Sequence, residues 1–252
     1  MPKVTYYPAT ADREFSPAIW SKYEGWIDEI RHGDVKLGAL LEEDFMGGTG
    51  GTLATATEQG DWTGTIATDG TITRGVTSDG TIILTAGASD DRGPQLQNES
   101  FPIVPAAGKV IVYECRAKAS VITQEQLFMG LATIDTAVFA AGVIDVTNAI
   151  GFLSQETLTT AAKLDLWSEK ATVAEDSNSV ATMAADTYFK VGFVINGVTS
   201  LTAYVNNVVV SNGAIVIATH LPVAAMVPTF ASLRENAAVL LTVDWVRCAY
   251  LT

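Results

Sequence analysis

The stretch that decides the fold is residues 187–211, TYFKVGFVINGVTSLTAYVNNVVVS. Its odd-numbered residues from 189 to 195 are all apolar, which is the period of a strand that buries one face. Asn196-Gly197 and Asn206-Asn207 follow two successive strand patterns, and both pairs tolerate the positive φ angles of tight hairpin turns. The stretch therefore predicts three consecutive antiparallel strands, whose apolar face needs a second sheet to cover it.

Similar short stretches occur through the rest of the chain. Strand patterns lie at residues 65–87, 109–120, 126–136, 149–153, 164–170, 215–217, 226–234 and 239–250. Residues 174–179 have the composition of a charged linker. About a dozen short strands separated by turn residues predict an all-β fold, a two-sheet antiparallel jelly-roll sandwich. The last strand is so apolar that we expect it at the centre of its sheet, because an exposed edge of that composition would aggregate.

A helix precedes these strands. Ser16-Pro17 can cap and begin it, apolar and aromatic residues recur at intervals of three and four, and Gly33 ends it. These features predict a short amphipathic helix over about residues 17–32. Residues 1–15 lack periodicity and suit an extended arm that lies on a surface.

The aromatic face of this helix has to be covered, since such a patch in water favours association. It can pack on its own domain or on a neighbour, and the sequence leaves both open. Four glycines at 47–51 indicate a flexible joint, which divides the chain into an N-terminal arm, residues 1–45, and a sandwich domain, residues 46–252. If the face contacts a neighbour, the partner-binding residues are Tyr6, Tyr7, Phe15, Ile19, Trp20, Tyr23, Trp26, Ile27 and Ile30.

Composition excludes some partners. The 252 residues carry a net charge of −13, which disfavours a nucleic-acid backbone because phosphate binding needs a cationic surface. No stretch has the length of a signal peptide core or of a membrane-spanning helix, so we expect a soluble protein without membrane contact. The two cysteines, Cys115 and Cys248, are too few for a disulfide framework, and we expect both to be reduced and buried.

Two resemblances to known families add to this interpretation. WSEK at 167–170, the stretch 187–207 and VDWVRCAY at 243–250 resemble the back half of concanavalin A-like jelly rolls, over about residues 100–252. FSPAIWSKY at 15–23, ahead of EEDF at 42–45, is similar to structural proteins of tailed bacteriophages. The second resemblance implies a capsid decoration (cement) protein on the exterior of a virion, made in the host cytoplasm.

The fold that the first resemblance implies can carry enzymatic chemistry. Glycosidases with concanavalin A-like folds place acids on one strand as E-x-D-x-x-E, and that pattern is absent. Glu114 and Glu169 each stand near a basic residue, which favours a solvated sheet face. His32 and His220 lack partners at metal-ligand spacing, and no cofactor motif is found. We therefore expect no enzymatic activity, no metal and no cofactor.

Three hypotheses for the function remain. The first is a capsid decoration protein that binds the major capsid protein through its arm and associates with itself, most simply as a homotrimer. The second is a lectin-like carbohydrate-binding module on a virion appendage, with Trp62 as the ligand contact, because Trp167 and Trp245 lie in strands and are expected in the core. A glycosidase ranks last.

Overall fold

A computed structural model describes the larger part of the chain: residues 14–33, 36–45, 51–53, 57–59, 61–66, 70–75, 80–87, 93–122, 125–140, 142–155, 162–211, 215–234 and 239–252. The strands, in chain order, are β1 (Gly38–Glu43), β2 (Gly51–Leu53), β3 (Thr57–Gln59), β4 (Trp62–Ile66), β5 (Gly70–Arg74), β6 (Ile82–Ala86), β7 (Pro94–Gln97), β8 (Val110–Ala119), β9 (Glu125–Ala132), β10 (Phe139–Ala140), β11 (Val143–Ile144), β12 (Asn148–Gln155), β13 (Lys163–Lys170), β14 (Val173–Thr182), β15 (Phe189–Asn196), β16 (Ser200–Val205), β17 (Val208–Val210), β18 (Val227–Arg234) and β19 (Leu240–Leu251). The helices are α1 (Pro17–Trp20), α2 (Glu24–Arg31) and α3 (Ile217–His220).

Two antiparallel sheets form the sandwich. Sheet A has the order β17-β16-β15-β8-β19-β6-β5-β2, and β1 pairs with the second half of β19 beside β6. Sheet B has the order β14-β13-β12-β9-β18-β7-β4-β3. The predicted all-β two-sheet jelly-roll sandwich is confirmed, and the last strand is central, between β8 on one side and β6 with β1 on the other.

The stretch 187–211 folds as its pattern predicts. Strands β15, β16 and β17 run consecutively at one edge of sheet A. Asn206 and Asn207 both take positive φ angles, 48° and 67°, and Gly197 takes 63°, so the turn residues serve the hairpins that their chemistry favours. The odd-numbered residues of β15 pack into the core between the sheets.

The main core lies between the inner faces of the two sheets. Phe193, Phe152 and Phe230 are fully buried there, and Cys115 and Cys248 lie among them as free thiols. The expectation of two reduced, buried cysteines is therefore confirmed. Among the residues that the structure describes, no helix is long and apolar enough to cross a membrane.

The outer face of sheet A is covered by the N-terminal helices. The predicted helix over 17–32 is two helices with a turn at 21–23, and this turn lets both bury apolar residues on the sheet. Their buried side chains pack on β8 and β19 in a cluster of Ile19, Trp20, Tyr23, Ile27, Val112, Ala249 and Leu251.

This packing corrects the assignment of these residues to a partner. Ile19, Trp20, Tyr23 and Ile27 are buried, and Phe15 and Ile30 are partly buried against the same cluster, so they contact their own domain and are not available to a neighbour. Trp26 is the exception, with 46% of its surface exposed. Tyr6 and Tyr7 lie outside the described residues.

Two charged groups hold this layer in place. The Glu114 carboxylate on β8 accepts hydrogen bonds at Oε2 from the Ser16 N–H (3.1 Å) and the Trp20 Nε1–H (2.6 Å). The buried Arg247 guanidinium on β19 forms ion pairs with Glu24 (3.1 Å) and Glu42 (2.9 Å). The expectation that Glu114 faces solvent is therefore wrong, because the helix layer covers it completely.

Two other predictions of secondary structure are wrong, and the predicted domain boundary lies next to residues outside the description. Residues 174–179, expected as a linker, lie inside β14, and their alternation was hidden because this edge strand is largely polar and exposed. Residues 215–217, expected as a strand, do not form one: residue 217 begins α3, and residues 215–216 lead into it. The predicted boundary between the N-terminal arm and the sandwich domain lies between residues 45 and 46, and residues 46–50 are outside the described residues. Strand β1, on the arm side of this boundary, pairs with β19 in sheet A.

Candidate functional site

The outer face of sheet B carries a row of aligned residues that crosses the sheet. The register places Gln97 of β7 beside Thr229 of β18, and Thr229 beside Gly130 of β9. Gly130 faces Gly151 of β12, which in turn faces Trp167 of β13. The residues in the middle of the row are glycines, and the indole ring of Trp167 lies at its end.

Glycine is required at the two central positions. A Cβ on Gly130 would lie 2.3 Å from the Ile150 carbonyl oxygen, and a Cβ on Gly151 would lie 2.5 Å from the Met129 carbonyl oxygen. Both obstacles are backbone atoms of the neighbouring strand, which cannot rotate away. The floor of the face is therefore flat immediately beside Trp167.

Two described pieces of the chain, residues 133–140 and 142–147, lie across part of this face; we call them the strap. Two glutamines of β7 bind one end of it. Gln95 accepts a hydrogen bond from the Val138 N–H (2.6 Å) and donates to the Asp135 carbonyl. Gln97 accepts from the Asp135 N–H (3.0 Å) and donates to the Thr133 carbonyl (3.1 Å).

Two further glutamines bind the middle of the strap. The side-chain amides of Gln126 on β9 and Gln155 on β12 both donate to the Gly142 carbonyl. Apolar contacts complete the attachment through a cluster of Phe128, Ala132, Val138, Ile144, Val146, Ala149, Leu153 and Ala231, against which Trp167 packs. The strap therefore covers the β18–β9–β12 part of the face and leaves its β13–β14 end uncovered in part.

At that end, β13 presents Asp165, Trp167 and Glu169 on one face, because alternate residues of a strand point to the same side. Trp167 is partly exposed, and its Nε1–H points to Glu169 Oε2 at 3.4 Å. Asp165 is buried, and its Oδ1 accepts a hydrogen bond from the Ser179 N–H (2.6 Å). Its Oδ2 has no hydrogen-bond partner among the residues described. A buried carboxylate oxygen without a partner is costly, by roughly 1–3 kcal/mol.

The two β13 carboxyl groups beside Trp167 have raised pKa values. Burial raises the pKa of Asp165 above its usual value, the Ser179 N–H opposes this, and the negative charge of Asp176 on β14 raises it further. Burial likewise raises the pKa of Glu169, the Trp167 indole opposes this, and Asp145 of the strap adds to the rise. Four acids from three segments therefore surround one partly exposed tryptophan.

The structure moves the candidate ligand contact from one tryptophan to another. Trp62 is 1% exposed and packs between Phe45 and Phe230 in the core, so the prediction that it contacts a ligand is wrong. Its neighbours in sequence are polar, but it points inward from β4. Trp167, expected in the core, is on the outer face, whereas Trp245 is buried as expected, under Phe15.

The acids on β13 were not recognised from the sequence as a group. The basic residue beside Glu169 in the sequence favours a solvated face, yet Glu169 is buried. The signal that could have found the site is the alternation of Asp165, Trp167 and Glu169, which places two acids and an aromatic ring on one side of a predicted strand.

The two histidines lie away from this site. His32 ends α2, where its Nδ1 is 2.6 Å from the Asp28 carbonyl. His220 does have a carboxylate partner, Glu175 of β14, at 2.7 Å, which the sequence spacing concealed because 45 residues separate them. In the described part of the chain, no three His, Cys, Asp or Glu side chains are grouped as a metal ion requires.

Comparison with known proteins establishes the fold through solved structures of low sequence identity. No family model and no curated protein matches this sequence. Among solved structures, a protein of unknown function from Shewanella oneidensis MR-1 has a TM-score of 0.57 at 10% identity, over 86% of this chain and 88% of its own. A β-glucanase of Bacillus licheniformis has a TM-score of 0.54 at 14% identity, over 83% and 97%. A glycoside hydrolase family 16 endo-glucanase from Bacteroides ovatus has a TM-score of 0.52 at 12% identity, over 82% and 98%.

These likenesses establish the jelly-roll fold and correct one expectation. The inference that the chain is not an enzyme is contradicted, because the structures that share its fold include several glycoside hydrolases. The resemblance to concanavalin A-like jelly rolls is borne out. None of the comparisons supports the identity of a phage structural protein.

Proposed function

We propose that this chain binds a glycan on the outer face of sheet B, at its β13–β14 end. The observation that carries the proposal is the group on β13, where a partly exposed Trp167 lies between the Asp165 and Glu169 carboxyl groups. An aromatic ring stacks on the apolar face of a sugar, and flanking carboxylates accept hydrogen bonds from its hydroxyls. The strap covers β12 on one side of the ring, so the next sugar of a chain would extend over β14, which is largely exposed on the other side.

The fold supports the same proposal. The solved structures that share this fold include a protein described as a β-glucanase and a mixed linkage glucan GH16 protein in complex with a G4G4G3G product. Soluble β-glucans are therefore the first ligands to test.

The experiment measures glycan binding by calorimetry after a screen on a glycan array. Trp167→Ala is expected to weaken binding at least roughly tenfold, as a central aromatic contact does. Trp26→Ala is the matched control, because Trp26 is an exposed tryptophan on the helix layer over the opposite sheet. Equal binding by the wild type and Trp167→Ala, or loss of binding in Trp26→Ala, would refute the proposal.

Hydrolysis of the bound glycan is a second candidate function, favoured by the interaction between Asp165 and Asp176. Asp176 on β14 is the register partner of Trp167, which is two residues from Asp165, and the β13–β14 register is irregular between Leu164 and Leu166. Burial and the negative charge of Asp176 raise the pKa of Asp165, as the acid of a glycosidase requires. Release of reducing ends from a bound glycan, abolished in Asp165→Asn, would support this function. Binding without release would leave glycan recognition alone.

The virion role remains a separate proposal about partners. Binding to the major capsid protein, assembly as a homotrimer and a place on the capsid exterior each need a surface other than the buried helix face. Light scattering on the purified protein tests the trimer, and sedimentation with empty capsids tests the capsid contact. A monomer that stays in the supernatant would refute both.

A further inference from the structure

The charged groups described around Trp167 are mainly carboxylates, and their negative charge affects which glycans the proposed site binds. Asp165 and Glu169 lie on β13, Asp176 on β14 and Asp145 on the strap. The described cation on the same face of β13 is Lys163, two residues before Asp165, and its Nζ donates to Thr182 Oγ1 (2.6 Å) at the end of β14 away from Asp176.

The acids are spread along the face rather than gathered at one point. Asp165 and Glu169 are four residues apart on one strand, which separates their Cα atoms by about 13 Å. One acid therefore lies on each side of the Trp167 ring along β13. Asp176 adds a partly exposed carboxylate on β14, and Asp145 adds an exposed one on the strap. A polymer that carries a positive charge on each unit can meet several of these groups at once.

One of these carboxylates also has unused hydrogen-bonding capacity. Asp165 is fully buried beside Trp167, and no group in the described residues pairs with its Oδ2. An ammonium group is the donor that best satisfies such an oxygen, because hydrogen bonds between ionised partners are about twice as strong as neutral ones. A neutral hydroxyl would satisfy it less well, and a second carboxylate would be repelled.

We propose that the glycan bound beside Trp167 carries amino groups, as a polymer of glucosamine does. The inference rests on the proposed function and narrows it to a class of sugar. The sugar ring stacks on Trp167, and its ammonium groups contact Asp165 and Asp176. Acidic polysaccharides are excluded from the site by the same carboxylates, and the net charge of −13 extends the repulsion over the whole molecule.

The test compares two oligomers of equal length with the full chain by calorimetry, glucosamine oligomers and their N-acetylated counterparts. Acetylation removes the charge and keeps the ring. At a pH where amines and carboxylates are ionised, we expect the glucosamine oligomer to bind roughly tenfold more tightly, the effect of one charge-assisted contact. Added salt should reduce the difference, because the surface part of the attraction is screened.

Three substitutions locate the effect. Asp176→Asn and Asp165→Asn should each reduce the preference for the charged oligomer several-fold, measured as the ratio of the two affinities in the same variant. Glu29→Gln, which removes one exposed carboxylate from α2 on the opposite side of the sandwich, should leave the preference intact. Asp176 is partly exposed and is the substitution that folding tolerates more readily, so it carries the test if Asp165→Asn fails to fold.

The possible failures are distinguishable. If both oligomers bind equally and Trp167→Ala abolishes both, glycan binding stands and the preference for amino groups is refuted. The preference is also refuted if Glu29→Gln reduces it as much as Asp176→Asn, since the attraction then comes from overall charge. If neither these oligomers nor any β-glucan binds, both the inference and the proposed function fail.

Discussion

Gly130 and Gly151 determine how closely β9 and β12 approach each other. Because neither residue has a side chain, the two strands can pair closely at the centre of sheet B. Both glycines belong to the row that ends at Trp167. Glycine in a strand usually weakens it, so these residues contribute through close approach and not through propensity.

Gly130→Ala is expected to destabilise the protein by about 1–3 kcal/mol or more, because the new methyl group would meet the Ile150 carbonyl at 2.3 Å. Gly25→Ala on α2 is the control, since no atom lies within 4 Å of the added Cβ. Alanine favours helix, and this change should stabilise by about 0.5–1 kcal/mol. Urea unfolding measures both, and equal midpoints for the two variants would contradict the interpretation.

Buried carboxyl groups give the protein an unusual dependence on pH. Burial raises the pKa of Glu114, Asp165 and Glu169, so each binds its proton more tightly in the folded state than in the unfolded state. The stability that protonation contributes is present below the usual carboxyl pKa and is lost as the pH rises through the raised one. The hydrogen bonds to these groups oppose the effect without reversing it.

Glu114→Gln should therefore gain stability relative to the wild type as the pH rises from acidic to neutral. The glutamine stays neutral, and its side-chain oxygen can still accept from the Trp20 indole. Melting temperatures of both proteins across this range measure the difference. A difference that does not change with pH would show that Glu114 has the same pKa in the folded and unfolded states.

At the level of elements, the helix layer of α1 and α2 belongs to the sandwich. It covers the outer face of sheet A at β8 and β19, and it provides the ion-pair partner Glu24 for the buried Arg247. The guanidinium also lies 4.1 Å from the Trp20 ring centre and 4.3 Å from that of Phe15, a cation–π arrangement. The layer thus neutralises and covers a charge that sheet A could not bury alone.

Trp20→Ala should cost about 3–5 kcal/mol of stability, the usual effect of removing a buried tryptophan, and it also leaves Glu114 without one of its donors. Trp26→Ala, six residues later on α2 and exposed, should change stability by about 0.5 kcal/mol or less. Chemical unfolding followed by circular dichroism measures both. A small effect of Trp20→Ala would indicate that the helix layer is detached in solution.

Local sequence pattern predicts the type of an element where one face of the element is buried. Where neither face is buried, the prediction is wrong. Strands β8, β15 and β19 alternate clearly and were predicted, whereas β14 is a polar edge strand and was interpreted as a linker. The strap was not predicted at all, since its attachment depends on four glutamines that come from three different strands.

At the scale of the whole molecule, one core joins the two sheets. Cys115 on β8 and Cys248 on β19 are buried in it, and burial raises the pKa of Cys115 to about 12 and also raises the pKa of Cys248. A thiol of this kind reacts only when the surrounding structure opens.

Both thiols should therefore react with a thiol reagent at a single slow rate, because they belong to one cooperative unit. Adding denaturant should accelerate both together, and mass spectrometry of the labelled peptides measures each site. Fast labelling of one cysteine under native conditions would mean that its strand opens independently of the rest.

The sequence by itself determined the fold class, the meander at 187–211, the central position of the last strand and the state of the cysteines. These follow from alternation, turn chemistry and composition, which act over a few residues. Only the tertiary structure decided that the aromatic helix packs on its own sheet, that Trp62 points inward and Trp167 outward, and that Asp165, Glu169, Asp176 and Asp145 meet around one ring. Those facts depend on strand register and on which face each layer covers, and register joins residues too far apart in the chain for local pattern to relate them.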